Sequence, residues 1–263
     1  MFDPKKIPVK GKIIDVTVPI SSFTPIFPGD PEPSIEKFLT LENDGCAVSR
    51  LSFGSHTGTH VDAPSHILKD GLSVDRLDIE SLMGKAVVLD FSRRNGALTG
   101  NILDKVYNGQ TNNDPKNNDS KNNDSKNNDS KNNGQKITES VSILLLKTKA
   151  SFREEKNPEI SGFQVGGLDK GREFEESAYL DSTAAAWIVR NRFKTVGIDG
   201  FSVDSLSSES LPAHHMLLSN NVNIVECLDL SSVDAGMYFF LCLPLKVEGC
   251  DGAPARALLI SDS

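Results

Sequence analysis

Residues 53–66 read Phe-Gly-Ser-His-Thr-Gly-Thr-His-Val-Asp-Ala-Pro-Ser-His and hold three of the chain's five histidines. His56, His60 and Asp62 supply two imidazole nitrogens and a carboxylate oxygen, a ligand set that suits zinc or manganese and leaves coordination positions for water and substrate. His66 is the fourth ligand-capable residue of the stretch. A surface turn rich in glycine, threonine and histidine is the alternative, but this density of ligand-capable residues favours a metal site.

The spacing of the four residues predicts the local backbone. All four lie at even offsets from one another, so an extended chain would direct them to the same side. Gly54, Gly58 and Pro64 oppose a continuous helix, and Pro64 also excludes the far end from a central strand. We therefore predict a strand over 48–57 that runs into an irregular loop lining a cleft.

The composition limits the partners of the protein. The chain has 263 residues, a formal net charge of −8 and a pI near 5.2, and no basic patch that would neutralise phosphates is evident. Nucleic acid and anionic membranes are thereby excluded as expected partners. The length predicts a single domain over residues 1–263 with a substantial core.

Cysteine usage and the N-terminal sequence indicate the compartment. The cysteines form no Cys-x-x-Cys pair and lie in apolar surroundings, so we predict buried thiols rather than disulfides or zinc ligands. They are Cys46, Cys227, Cys242 and Cys250. The N-terminus has no apolar run of signal-peptide length, and no window is long enough to span a membrane. We predict a cytoplasmic protein.

Hydrophobic patterning predicts a mixed α/β fold. Strands are predicted at 13–18, 85–91, 141–147, 195–199, 222–228, 238–247 and 255–260. Helices are predicted at 75–84, capped by Asp78 and stopped by Gly84, and at 181–193, capped by Asp181 or Ser182, with Trp187 in the core. Residues 251–254, Asp-Gly-Ala-Pro, are predicted to form a turn.

A low-complexity insert separates two of the predicted strands. Within residues 108–136, Lys-Asn-Asn-Asp-Ser repeats from Lys116 onward, and the segment contains no apolar run that could join a core, so we predict a disordered polar insert. A tolerated loop is favoured over an interaction tract. Residues 152–180 are also polar and are predicted to form a loop that flanks the active site.

Glu226 is a second indication of a metal site. It lies inside the apolar strand predicted at 222–228, where a carboxylate must be paired, exposed or bound to a cation, because an unpaired buried charge is too costly. Pro212 can open a short helix that carries His214 and His215 just before this strand. Binding to a cation would resolve the cost of burying Glu226.

The stretch from His56 to His66 resembles the His-x-Gly-Thr-His-x-Asp-x-Pro-x-His signature of the cyclase family of metal-dependent hydrolases, which includes kynurenine formamidases. The similarity covers nearly the whole chain except the insert, through residues 27–30, 196–199, 211–215, 224–226, 244–246 and 251–256. It implies the family's swivelling β/β/α domain, a mixed barrel-like sheet flanked by helices. It also implies a homodimer or homotetramer.

The resemblance assigns roles to individual residues. The family places a histidine twelve residues before a metal-bridging glutamate, an interval that His214 and Glu226 have and His215 does not. It therefore implies a second metal on His214, with Asp62 and Glu226 bridging both metals, and a proton-carrying role for His66. Two zinc ions per chain are implied, with manganese as an alternative. His215 is interpreted as an ordinary polar residue.

Phe27 occupies the position where the family places an aromatic residue against the substrate, usually tryptophan in bacterial kynurenine formamidases. A loop anchor packed on the core is an equally good interpretation of Phe27. The implied activity is hydrolysis of a small-molecule amide, N-formylkynurenine, to kynurenine and formate. A ring-opening hydrolase of a cyclic amide such as isatin, with one manganese ion, is an alternative, as is a catalytically silent metal-binding homologue. Retention of His214 and Glu226 favours the two-metal enzyme, and retention of His66 argues against the silent homologue.

Overall fold

The computed structural model describes residues 11–27, 29–111, 141–148 and 178–261. The insert beyond residue 111 and the polar segment 152–177 lie outside these ranges. Strands are β1 (Ile13–Asp15), β2 (Ser34–Leu39), β3 (Val48–Ser52), β4 (His60–Asp62), β5 (Met83–Asp90), β6 (Ala97–Leu98), β7 (Ile143–Lys147), β8 (Tyr179–Leu180), β9 (Thr195–Ile198), β10 (Asn223–Glu226), β11 (Gly236–Pro244) and β12 (Gly252–Ser261). Helices are α1 (Leu41–Asp44), α2 (Gly100–Thr111), α3 (Ser182–Arg190) and α4 (Pro212–Leu218), with 3-10 turns at Pro64–His66, Val74–Arg76 and Ile79–Leu82.

The main sheet closes into a barrel. Its strands follow the order β12-β11-β5-β7-β9-β10-β4, and β4 pairs with both β10 and β12, which completes the ring. The run β5-β7-β9-β10 is parallel, whereas the remaining neighbours in the ring are antiparallel. β1 adds to the free edge of β12. The prediction of a mixed, barrel-like sheet flanked by helices is confirmed.

Both faces of the central strands are buried. Leu89 of β5 packs in a cluster that includes Trp187 of α3, whereas its neighbour Val88 lies in a second cluster with Phe240 of β11. Successive side chains of a strand point to opposite faces, so one cluster lies between sheet and helices and the other inside the barrel. This double coverage explains why β5 and β7 are continuous apolar runs, as predicted.

Helix α3 begins and packs as its sequence predicts. The Asp181 carboxylate accepts a hydrogen bond from the Ala184 backbone N–H at 2.8 Å, which satisfies a free donor of the first turn. Trp187 is 1% exposed, and its indole N–H donates to Asp104 of α2 at 3.0 Å. The predicted cap and core residue are both confirmed. None of the described helices is long and apolar enough to cross a membrane.

The helix predicted at 75–84 and the turn predicted at 251–254 are both wrong. The helix at 75–84 is instead two 3-10 turns, and although Asp78 caps the second by accepting from Glu80 N–H at 3.1 Å, Gly84 lies inside β5. The predicted turn at 251–254 is the start of β12, because Gly252 to Pro254 pair with β4. The chain reverses earlier, where the Cys250 N–H donates to the Val247 carbonyl.

Further corrections concern the insert, the cysteines and the strand predicted at 48–57. Residues 108–111 complete helix α2, where the Gln110 side-chain amide donates to the Val88 carbonyl at 2.9 Å. Burial was predicted for all four cysteines, but Cys46 is exposed and Cys250 is only partly buried, whereas Cys227 and Cys242 are buried as predicted. All the described cysteines are free. β3 ends at Ser52.

Candidate metal centre

The site is built on β4, which lies between β10 and β12. Glu226 of β10 is paired opposite His60, and Gly252 of β12 is paired opposite Asp62. Residues directly opposite in register, and residues two apart on one strand, share a face of the sheet. His60, Asp62 and Glu226 therefore project from one side. The prediction of an irregular loop at these positions is wrong, because the chain re-enters the sheet for three residues and leaves it before Pro64.

Two further histidines reach this face from outside the sheet. His56 lies in the loop between β3 and β4, where Gly58 has a φ of 64° and turns the chain back towards the barrel. His214 lies in the first turns of α4, which begins at Pro212 as predicted. All five residues implied as metal ligands are thus brought together, although their roles remain predictions.

Asp62 lies at the centre of the cluster. Its Oδ1 is 2.8 Å from His56 Nδ1 and 3.3 Å from His60 Nε2. Its Oδ2 is 3.3 Å from His214 Nε2. The Glu226 carboxylate spans the same two sides, with Oε2 at 3.4 Å from His60 Nε2 and Oε1 at 3.4 Å from His214 Nε2. Each carboxylate therefore offers one oxygen to each of two adjacent groups of histidine nitrogens.

The hydrogen bonds that Nδ1 makes in His60 and in His214 determine that Nε2 of each ring faces this cluster. His60 Nδ1 is 2.8 Å from the Gly58 carbonyl, and His214 Nδ1 is 2.7 Å from Asp204 Oδ2. Since a carbonyl and a carboxylate accept only, both Nδ1 atoms donate, and both Nε2 lone pairs face Asp62 and Glu226 when the rings are neutral. Histidine ligands of metals are commonly oriented in this way.

The residues present fit a divalent cation. His60 and Asp62 are 2% and 0% exposed, and among the described residues neither His60 Nε2 nor Asp62 Oδ2 has a hydrogen-bond partner. Buried polar atoms are almost always satisfied, and leaving them unpaired is costly. A cation held by imidazole nitrogens and carboxylate oxygens would satisfy them, and zinc prefers this ligand set.

The electrostatics show how the cluster is balanced in the metal-free protein. Burial disfavours the ionised form of Asp62, but the nearby nitrogens of His214, His56 and His60 hold its pKa well below the usual value. Burial likewise disfavours charged His60, yet contacts with Asp62 and Glu226 raise its pKa well above the usual value. Protons on the histidines therefore neutralise the carboxylates in the metal-free state.

His66 borders the cluster without joining its carboxylates. It ends the 3-10 turn Pro64–His66, its side chain is 27% exposed, and its ring centroid lies 4.2 Å from that of His56. Burial and the charge of neighbouring His56 lower the pKa of His66, although Asp62 acts in the opposite direction. The imidazole is therefore neutral at neutral pH and can accept a proton.

Phe27 lies on a loop that flanks the site. A side-chain carbon added at Gly58 would meet Thr24 at 3.7 Å, and one added at Gly54 would meet Pro31 at 3.3 Å, so the loop on either side of Phe27 packs against the ligand-bearing stretch. Phe27 itself is 39% exposed. A contact with substrate stays a prediction. His215 is exposed beside His214, in keeping with its interpretation as a polar surface residue.

Sequence reasoning missed the two carboxylates behind the ligands. Asp204 accepts from His214, and Asp251 Oδ2 lies 2.9 Å from His56 Nε2. Asp204 belongs to a loop without a recognisable pattern, and Asp251 was assigned to a turn. The family resemblance includes Asp251 within residues 251–256 but gives it no role, and its contact with His56 joins residues that lie 195 positions apart in the sequence.

Comparisons with known proteins find sequences and structures that are similar to most of the chain. A family model for putative cyclases matches residues 14–205 of the chain. A kynurenine formamidase of Bacillus mycoides (strain KBAB4) is 28% identical over 247 residues, which cover 94% of this chain and 96% of the relative.

Solved structures show the same fold. A potential metal-dependent hydrolase with cyclase activity superposes with a TM-score of 0.67 at 27% identity, covering 96% of this chain and 98% of its own. Isatin hydrolase A from Labrenzia aggregata gives a TM-score of 0.70 at 20% identity, covering 96% and 94% of the two chains. At that identity the second similarity concerns the fold alone.

Proposed function

The chain belongs to the cyclase family, and we propose that this hydrolase cleaves N-formyl aryl amides, with N-formylkynurenine as substrate and kynurenine and formate as products. The observation that carries the proposal is the group of three histidines arranged around the buried carboxylates of Asp62 and Glu226. The kynurenine formamidase relatives support the choice of substrate.

The ligand atoms form two sets. His56 Nδ1, His60 Nε2 and Asp62 Oδ1 form one, and His214 Nε2, Asp62 Oδ2 and Glu226 form the other. We propose that they hold two zinc ions, with manganese as the alternative. When bound, such ions activate water and polarise the carbonyl of the scissile amide.

The chain itself supplies the proton transfer. His66 stands beside His56, is neutral at neutral pH, and is not needed in either ligand set. We propose that it takes a proton from the attacking water and delivers it to the leaving nitrogen, a general acid-base role that typically contributes about 10²–10⁴-fold to the rate. Phe27 is proposed to contact the aryl group. The expected cytoplasmic location and homodimer or homotetramer belong to the same proposal.

The test combines metal analysis with a substrate panel. Purified protein loaded with zinc or with manganese is assayed for formate release from N-formylkynurenine and formanilide, and for ring opening of isatin. We expect formate release from the formylated amides, loss of activity with a chelator, and recovery on adding zinc. Ring opening of isatin without formate release would contradict the proposed substrate, and metal binding without any turnover would indicate a silent homologue.

A further inference from the structure

The Asp251 carboxylate lies between two histidines of the site. Its Oδ2 is 2.9 Å from His56 Nε2 and 3.6 Å from His66 Nδ1. The two rings are tilted by 43° with their centroids 4.2 Å apart. One carboxylate oxygen therefore faces both the histidine of the first ligand set and the histidine that moves the proton.

The backbone holds Asp251 in register with the ligands. Its carbonyl accepts from the Ala63 N–H at 2.9 Å, and the next residue, Gly252, is paired opposite Asp62. A side-chain carbon at Gly252 would lie 2.9 Å from His56 Cε1 and 2.9 Å from the Val61 carbonyl oxygen, closer than real contacts allow. The absence of a side chain at this position therefore lets the His56 ring lie against the strand next to Asp251.

Asp251 offers a hydrogen-bond acceptor to Nε2 of His56, on the side of the ring away from Asp62. A neutral imidazole has one donor and one acceptor nitrogen, and a carboxylate only accepts. Donation from His56 Nε2 to Asp251 leaves the Nδ1 lone pair facing Asp62 Oδ1 at 2.8 Å. Two acceptors at this distance need a cation between them, which is a second proton on His56 in the metal-free protein and would be a metal ion in the loaded protein.

We infer that Asp251 is a positioning residue that holds His56 with Nδ1 free to bind metal and orients His66 for proton transfer. The inference rests on the proposed hydrolase function. His66 Nδ1 lies 3.6 Å from Asp251 Oδ2, beyond hydrogen-bond distance, and a proton on Nδ1 would face this carboxylate and leave Nε2 as the basic nitrogen. The arrangement parallels that of His214, whose Nδ1 donates to Asp204.

A direct ligand role is the competing interpretation. His56, His66 and Asp251 lie close enough to hold an ion by themselves. In that case His56 would use Nε2 and would donate from Nδ1 to Asp62, which would remove it from the first ligand set. The two interpretations differ in what an asparagine at position 251 can do, because its amide oxygen still accepts from His56 Nε2 but is a poor substitute for an anionic ligand.

The experiment compares Asp251→Asn and Asp251→Ala with the parent protein and with Asp90→Asn. Asp90 is an exposed aspartate at the end of β5, where it accepts from Ser92. Zinc affinity is measured by competition with a chelator, and kcat and KM for N-formylkynurenine are measured at saturating zinc. Nitrogen-15 NMR of the zinc-loaded protein reports which nitrogen of His56 carries the proton.

We expect Asp251→Ala to lower the affinity for one of the two zinc ions by about 10–100-fold. This is the usual effect of losing an outer hydrogen-bond partner of a metal ligand. We also expect its kcat at saturating zinc to fall about tenfold or more with little change in KM, because His66 is misoriented. Asp251→Asn should lie between the parent and Asp251→Ala, and Asp90→Asn should match the parent.

Parental zinc affinity and kcat in Asp251→Ala would overturn the inference. Loss of one whole zinc ion from both variants at saturating metal would also overturn it, because it would make Asp251 a ligand. A parent protein that binds zinc but hydrolyses no amide would contradict the proposed function alone, since the zinc affinities and the NMR spectrum still decide how Asp251 holds His56.

Discussion

The two halves of the candidate metal centre differ in the carboxylate that stands behind each histidine. Asp204, behind His214, has a 1% exposed side chain and also accepts from the backbone N–H groups of Ala213 at 2.8 Å and His214 at 3.0 Å. Asp251, behind His56, has a 43% exposed side chain. The Asp204 carboxylate therefore lies in the interior, whereas the Asp251 carboxylate lies at the edge of the interior.

This difference distinguishes the half of the site that is anchored in the core from the half that borders solvent. The buried side fixes the start of α4 and His214 together, so this half of the site depends on the core. The half around His56 borders solvent, and His66 lies on that side. We expect substrate approach, metal loss and proton exchange to occur from this side.

Removing the carboxylate that the two halves share should have the largest effect. Asp62→Ala is expected to reduce bound metal to no more than one ion per chain, because Asp62 Oδ1 faces one ligand set and Oδ2 the other. Glu226→Ala should also reduce bound metal to no more than one ion per chain, because Oε2 of Glu226 faces His60 and Oε1 faces His214. Elemental analysis after dialysis measures the metal content, with Asp90→Asn as the control. Two tightly retained ions in either variant would contradict shared ligation.

His66→Ala should separate proton transfer from metal binding. We expect about a hundredfold or greater loss of kcat, the scale of a lost general acid-base group, with nearly parental metal content and KM. Steady-state kinetics on zinc-loaded protein and elemental analysis check this. Loss of metal in step with activity would make His66 a ligand, and unchanged kinetics would make it an ordinary loop residue.

The two outer carboxylates can be compared directly by stability. In metal-free protein, Asp204→Asn should lower the free energy of unfolding by about 1–3 kcal/mol, because buried donors at the start of α4 lose a charged acceptor. Asp251→Asn should cost less than about 1 kcal/mol, because its partners are partly solvated. Urea unfolding measures both. Equal losses would remove the distinction between the two halves.

Asp199 offers a smaller effect that depends on pH. Burial raises its pKa to about 7 from 3.8, only partly offset by hydrogen bonds from Thr148. Between about pH 4 and pH 7, the folded protein therefore keeps a proton that the unfolded chain loses. The free energy of unfolding falls by up to a few kcal/mol as pH rises through this range. Asp199→Asn should remove that slope in urea titrations between about pH 4 and pH 7. A slope that persists unchanged would contradict the raised pKa.

Features that depend on neighbouring residues were predictable from the sequence. The apolar runs of β5 and β7 and the capped helix α3 follow from periodicity and side-chain chemistry within a few residues. The ligand-bearing stretch was visible for the same reason, since His56, His60 and Asp62 lie close together in sequence.

Features created by long-range pairing were not predictable. β4 is three residues long and carries no periodic signal, and it is a strand because β10 and β12 pair with it from the far end of the chain. The same pairing converts the turn predicted at 251–254 into a strand and brings Asp251 to His56. Asp204 was missed because its role depends on where α4 packs.

Anomalous diffraction from zinc-loaded crystals would test the two-metal arrangement most directly. Two peaks per chain are predicted, about 3.5–4 Å apart as in other two-metal sites, one beside His56 and His60 and the other beside His214, with Asp62 between them. A single peak, or a peak held by His66 and Asp251, would contradict it.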